Sequence, residues 1–151
     1  MEYYAPCYPN GSLALILVNI SQSATNIWAS PTHVATFTIQ APLSLSPVSK
    51  PRVALIGSVS AVGPDNDLDS LEECYIDRHP DATSWIPGKS PFQDVQWARF
   101  DPSVIYYVGG FGGVHYIGWI PLDLYQRSGN EAFTPQRENG DSYPYLPLEQ
   151  R

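Results

Sequence analysis

Basic residues are scarce in this sequence. Eight Lys and Arg stand against 15 Asp and Glu, so the 151-residue chain carries a formal net charge of −7. A phosphate backbone is repelled more than attracted by that balance, which excludes the usual nucleic-acid-binding classes. Long apolar runs are missing too. The most apolar stretch, Leu13 to Val18, is far too short to cross a bilayer, so no membrane span is expected. An acidic residue and no positively charged leader precede it, and the chain reads as cytoplasmic by default. Cysteine is nearly absent: Cys7 and Cys74 match neither a zinc-ligand spacing nor a CxxC redox pair. A bridge between them needs an oxidising compartment, and base rates favour two separate thiols. The histidines are His33, His79 and His115, and no spacing converges them as metal ligands. There is no GxGxxG dinucleotide fingerprint. Gly57-Ser58-Val59-Ser60-Ala61 fails the serine nucleophile elbow at its last position.

Proline, in contrast, is abundant. Fifteen of them argue for short elements joined by turns rather than long helices. Hydrophobic content of 43% with 15% charged residues belongs to a globular domain large enough for a real core. Pro9-Asn10-Gly11 reads as a turn. Ser12 to Ile20 is apolar on both faces, as a strand covered on both sides would be. Ser21 to Pro31 reads as a polar loop or a single helical turn. His33 to Gln40 alternates with period two, and Arg52 to Val62 is the longest strand candidate, with Gly57 marking a bulge or bend. Residues 41–51 carry three prolines and read as a surface loop.

One helix is well specified, from about Asp67 to Arg78. Leu68, Leu71 and Tyr75 form an apolar stripe, acidic residues crowd its start, and Pro80 stops it. The same acidic run lacks the glycine turn and distal glutamate of a calcium loop, so capping accounts for it better than a metal. Val95 to Phe100 reads as a strand broken by Asp101-Pro102, with Val104 to Val108 as its antiparallel neighbour. The loop Gly109-Gly110-Phe111-Gly112-Gly113 follows, then a strand from Val114 to Ile120. PLDLYQR reads as one helical turn, and residues 127–151 as a polar, proline-containing tail. The expected fold is mainly β (α+β): a small barrel or curled sheet of five or six antiparallel strands with one main packed helix.

Candidate chemistry is sparse. His115, beside the glycine loop, is the one histidine placed as an acid/base group; His33 reads as a strand start and His79 as a helix end. Asp94 and Asp101 flank a strand and read as a solvated rim. Trp97, Tyr106, Tyr107, Tyr116 and Trp119 suit a core or a dimer interface better than a ligand cage. Asn10-Gly11-Ser12 and Asn19-Ile20-Ser21 fit the N-glycosylation pattern, which is short and common and predicts no glycan without a secretion signal.

Four pieces taken together carry a resemblance. They are Tyr75-Ile76-Asp77-Arg78-His79-Pro80-Asp81-Ala82, Trp85-Ile86-Pro87, Gln96-Trp97-Ala98-Arg99-Phe100 and Ile105-Tyr106-Tyr107-Val108-Gly109-Gly110-Phe111-Gly112. With the earlier Ile20-Ser21, Thr25-Asn26-Ile27 and Ser30-Pro31, this pattern resembles the pyridoxamine-5′-phosphate-oxidase-like split barrels, and within them the CREG-like branch with its fungal members. The resemblance implies a six-stranded split barrel over residues 1–126 that pairs into a homodimer. It implies FMN in the groove between subunits and two-electron chemistry on a small organic molecule, such as one of a specialised pathway. Ser21, Thr25 and Asn26 are then the phosphate-side candidates, and Arg52 adds charge. Gly110, Phe111 and Gly112 let backbone approach the ring system, and Trp119 shapes the substrate side.

The sequence departs from that pattern at Gln22, Ser23 and Ala24, which are uncharged where flavin-binding relatives carry a basic or histidine residue. It also begins almost on the segment Glu2-Tyr3-Tyr4-Ala5, before which relatives have a helix and strand. A barrel missing that edge is either incomplete or completed by a partner. The alternative to a flavin enzyme is a non-catalytic CREG-like dimeric binding protein that has lost flavin; a ligand-binding barrel without redox chemistry is a third reading.

Overall fold

The structure, a computed structural model, describes residues 3–40, 49–110 and 115–128. Six strands form one antiparallel sheet: β1 (Tyr4–Ala5), β2 (Leu13–Val18), β3 (Val34–Gln40), β4 (Arg52–Ala61), β5 (Val95–Val108) and β6 (Ile117–Ile120). The strand order is β1-β2-β5-β4-β3, with β6 pairing the second half of β5. Three α-helices accompany it: α1 (Gln22–Ala29), α2 (Leu68–Arg78) and α3 (Leu122–Ser128). A 3-10 helix over Pro80–Trp85 follows α2 directly.

The sheet curls because its concave face is greasy and its edges can meet. Leu13, Leu15 and Leu17 of β2, Leu55 and Val59 of β4, and Phe100 and Ile105 of β5 point into one buried cluster. β1 and β3 lie at opposite ends of the strand order, yet Tyr4 packs edge-on against Phe37 with ring centroids 5.3 Å apart. That contact brings the edges together, and α1 plugs the end with Ala24, Ile27 and Trp28. The result is the split barrel expected from the sequence.

β2 is apolar on both faces because it serves two cores. Its alternate residues Ala14 and Ile16 face a second cluster made with Leu71 and Tyr75 of α2, Ala82, Ile86 and Trp97. α2 starts one residue later than the sequence suggested. Asp67 is its N-cap, accepting from the Ser70 N–H at 3.1 Å and the Ser70 hydroxyl at 2.7 Å. His79 is its C-cap, with its Nε2 2.8 Å from the Tyr4 carbonyl and its ring stacked on Tyr3. His33 precedes β3 with a positive φ of 49°, and its carbonyl accepts from the Val59 N–H.

Three expectations change. First, Val95–Phe100 and Val104–Val108 are one 14-residue strand, not an antiparallel pair. Asp101-Pro102 does not break it, because Pro102 faces Gly57 where the β4–β5 register slips between Ile56 and Gly57. A bulge is where a strand tolerates a residue without an N–H. A Cβ at Gly57 would stand 2.1 Å from the Asp101 carbonyl oxygen, so the close approach requires glycine there. Second, Ser21–Pro31 holds more than the loop or single helical turn expected: residues 22–29 form two turns of helix, anchored by Ala24, Ile27 and Trp28 at helical spacing. Third, Cys7 and Cys74 are not separate thiols but a disulfide, with Cα atoms 5.9 Å apart. It ties the N-terminal segment to α2 across 67 residues. The strand expected from Val114 begins only at Ile117, with His115 and Tyr116 outside it; Val114, most of the 41–51 loop and most of the 127–151 tail lie outside the described residues.

Candidate functional site

The predicted site residues fall into two groups at opposite ends of β5. Register pairs Val18, just before α1, with Val95 at its beginning, and Arg52 with Val108 at its end. Fourteen residues of strand span roughly 40 Å.

At the first end stand Ser21, Thr25 and Asn26. Ser21 is the N-cap of α1, its Oγ accepting from the Ala24 N–H at 3.2 Å. The Thr25 hydroxyl donates to the carbonyls of Asn19 and Ser21 at 3.1 and 3.0 Å. The Asn26 Oδ1 accepts from Gln22 Nε2 at 2.8 Å. These polar groups are therefore spent on holding a short helix of weak helix formers in shape. Residues 19–31 contain no Lys or Arg. An FMN phosphate carries nearly two negative charges and wants a cation beside its hydrogen-bond donors. Within one chain this end does not fit that group.

The other end is built by cross-strand register. Thr38, Ala54, Tyr106 and Trp119 form one row across β3, β4, β5 and β6, and Gln40, Arg52, Val108 and Ile117 form the next. Side chains opposite one another share a face, so both rows look outward from the barrel. Thr38, Arg52, Tyr106 and Ile117 line a cavity of about 330 Å³. Tyr106 and Trp119 pack with centroids 4.9 Å apart, and Trp119 remains 58% exposed. The Tyr116 hydroxyl donates to the Trp119 carbonyl at 2.8 Å, pinning the loop to β6. Beyond Val108, Gly110 has a φ of 133°, and a Cβ on it would meet the Ser49 carbonyl oxygen at 3.0 Å and the His115 ring at 3.4 Å. The structure thus gathers Arg52, Gly110, His115 and Trp119 at one end and leaves Ser21, Thr25 and Asn26 at the other. Phe111 and Gly112 lie outside the described residues.

Sequence reasoning missed Thr38 and Ile117, which carry no chemical signature; period-two alternation combined with pairing would have found them. It also missed a polar cluster. Asp101 keeps a partly exposed side chain, as a rim residue would, but its Oδ1 also accepts from the buried Ser12 hydroxyl at 2.6 Å and from Arg99 Nε at 2.8 Å. Arg99 lies over the Tyr8 ring at 4.5 Å. Burial pushes the Tyr8 phenol above its ordinary pKa, with Arg99 opposing and Asp101 reinforcing. Ser12, bonded to both Asp101 and Arg99, fastens the start of β2 to β5. Nor, among the described residues, do His, Cys, Asp or Glu side chains gather as a metal site.

The chain belongs to the CREG β-barrel family. The family's model matches residues 1–127. No curated protein matches the sequence. Among solved structures, a heme binding protein from Mycobacterium smegmatis superposes with a TM-score of 0.66 at 20% identity, over 83% of this chain and 48% of that one. The protein Atu2129 of unknown function from Agrobacterium tumefaciens gives 0.59 at 17% identity, over 76% and 47%. This CREG-type chain spans about half the length of either structure, and at these identities the likeness is one of fold. No helix among its described residues is long and apolar enough to cross a membrane.

Proposed function

We propose that this CREG-type chain is a homodimeric binding protein that takes a flat, conjugated small molecule at the Arg52 end of its outer sheet face. The observation that carries this reading is the row Thr38, Ala54, Tyr106, Trp119 with Arg52 at its margin. Val104, Ile117 and Trp119 are exposed on or beside that face. Monomers rarely leave so continuous an apolar surface in water. A second copy laid upon it would cover these side chains and turn the open cavity into a crevice. Aromatic walls suit a flat ring system, and one guanidinium suits one acidic group. The Mycobacterium relative, described as heme-binding, supports the idea that this framework admits such a ligand. The Cys7–Cys74 bridge favours an oxidising compartment over the cytoplasm.

Titration of the purified protein with riboflavin, FMN and hemin, each followed by its own visible absorption, tests the reading. Hemin, a flat ring bearing acidic groups, should bind more tightly than riboflavin, which has none, and Arg52→Ala or Trp119→Ala should weaken its binding. Failure of all three to bind would refute it.

A second reading, an FMN-dependent oxidoreductase acting on a small organic molecule, is favoured by one feature: Arg52 shares a cavity with Tyr106, itself packed on Trp119, which puts a cation beside aromatic walls of a kind a flavin can use. There the flavin would supply the redox chemistry and the chain its grip and access. The same titration separates the two. FMN retained through purification, or bound far more tightly than riboflavin, supports the enzyme.

A further inference from the structure

A second apolar groove lies away from the outer sheet face. It measures about 480 Å³, floored by Ile16, Val18 and Val95 and flanked by Trp85, Phe92 and Ile20. Ile20 is 91% exposed and Phe92 60%. So much apolar surface in water implies something that covers it.

The residue beside it suggests what. Ile20 is the middle of Asn19-Ile20-Ser21, an N-linked acceptor sequence, and both chain neighbours of Asn19 line the groove. Asn19 is exposed on the turn between β2 and α1. Its Oδ1 accepts from Gln96 Nε2 at 3.0 Å, while its Nδ2 makes no hydrogen bond among the described residues. The disulfide supplies an independent observation, because a bridge between Cys7 and Cys74 persists in the secretory compartments where such transfer occurs. Two carboxylates stand at the groove's margin: Asp81 accepts from the Tyr3 hydroxyl and Asp94 precedes Val95, while Lys89, next to Ser90, is paired with Glu72. An anionic lipid would be repelled there, whereas a neutral sugar can lay its C–H face on the rings and direct its hydroxyls to water and carboxylates.

We propose that Asn19 carries an N-linked glycan whose first sugars lie in this groove. In the transfer, Asn19 Nδ2 forms a bond to the anomeric carbon of a lipid-pyrophosphate-linked oligosaccharide. The bond from that carbon to the pyrophosphate oxygen breaks, Nδ2 loses one proton, and the lipid pyrophosphate leaves with the electron pair.

The test uses tagged protein purified from the cells that make it. Peptide-N-glycosidase converts a glycosylated asparagine to aspartate, so peptide mass spectrometry should find that conversion at Asn19 only after treatment. Removing the glycan should also raise the emission of the neutral dye Nile red several-fold. Asn19→Gln protein from the same cells should show the raised emission without treatment. Ser21→Thr, which keeps the acceptor sequence and a capping hydroxyl, should behave as wild type, and Asn10→Gln should leave the dye signal unchanged. An Asn19 peptide recovered wholly unmodified would overturn the proposal. So would a glycan whose removal leaves Nile red emission where it was, since another occupant would then cover the groove.

Discussion

The two halves of β5 differ in what covers them. The first half, Val95 to Phe100, is packed on both sides: Ala98 and Phe100 face the barrel core, and Trp97 faces the core beneath α2. The second half, Val104 to Val108, is covered more thinly on its outer side: Ile105 packs into the barrel core and Val108 is buried, while Val104 is exposed and Tyr106 packs against Trp119. One strand thus serves stability at one end and, on the proposed reading, recognition at the other. The hinge between them is the Gly57–Pro102 bulge, which lets a single strand change partners and curvature midway.

Substitutions should reproduce that division. Phe100→Ala removes a fully buried ring from the doubly covered half and should destabilise by about 4 kcal/mol in urea unfolding. Gly57→Ala at the bulge should cost about 3 kcal/mol by the same measurement, because the new methyl meets backbone atoms that cannot step aside. Replacing Cys7 and Cys74 together by serine should cost about 2 kcal/mol by freeing the 67-residue loop they close, seen as a lower melting temperature that no longer responds to reductant.

A smaller, pH-dependent effect belongs to α2. The Ser70 hydroxyl, with the Ser70 N–H, holds the Asp67 carboxyl below its ordinary value. A carboxylate whose folded pKa is depressed stabilises above its unfolded pKa, and that contribution is lost as pH falls through the folded value. Stability should therefore decline below about pH 4, the ordinary carboxylate range. Asp67→Asn, which keeps a capping oxygen, should flatten that part of the curve. Smallest of all is the effect of Trp119→Ala on the fold of the single chain, expected within about 0.5 kcal/mol of wild type when unfolding is compared at protein concentrations too low for pairing.

Much of the doubly covered region was legible from the sequence. Leu68, Leu71 and Tyr75 with Asp67 and Pro80 announce α2, and the two-faced apolarity of Leu13–Val18 announces a strand between two cores. Local signals misled where a distant residue decides the outcome. Asp101-Pro102 reads as a break until Gly57 is placed across from it, and Cys7 gives no hint of Cys74. α1 was hidden by Gln22, Ser23, Thr25 and Asn26, though Ala24, Ile27 and Trp28 carried the helical spacing. The candidate site suffered most: Ser21, Thr25 and Asn26 are neighbours in sequence and in space, but their distance from Arg52 emerges only from the register of β5.

The central claim is that the outer face around Tyr106 and Trp119 is where a second copy and a flat ligand meet. Sedimentation equilibrium of the wild-type chain beside Trp119→Asp tests it most directly. The account requires twice the chain mass for the wild type and the single-chain mass for the variant, with the circular dichroism spectrum unchanged. A monomeric wild type, or a Trp119→Asp protein that still pairs as tightly, would contradict it.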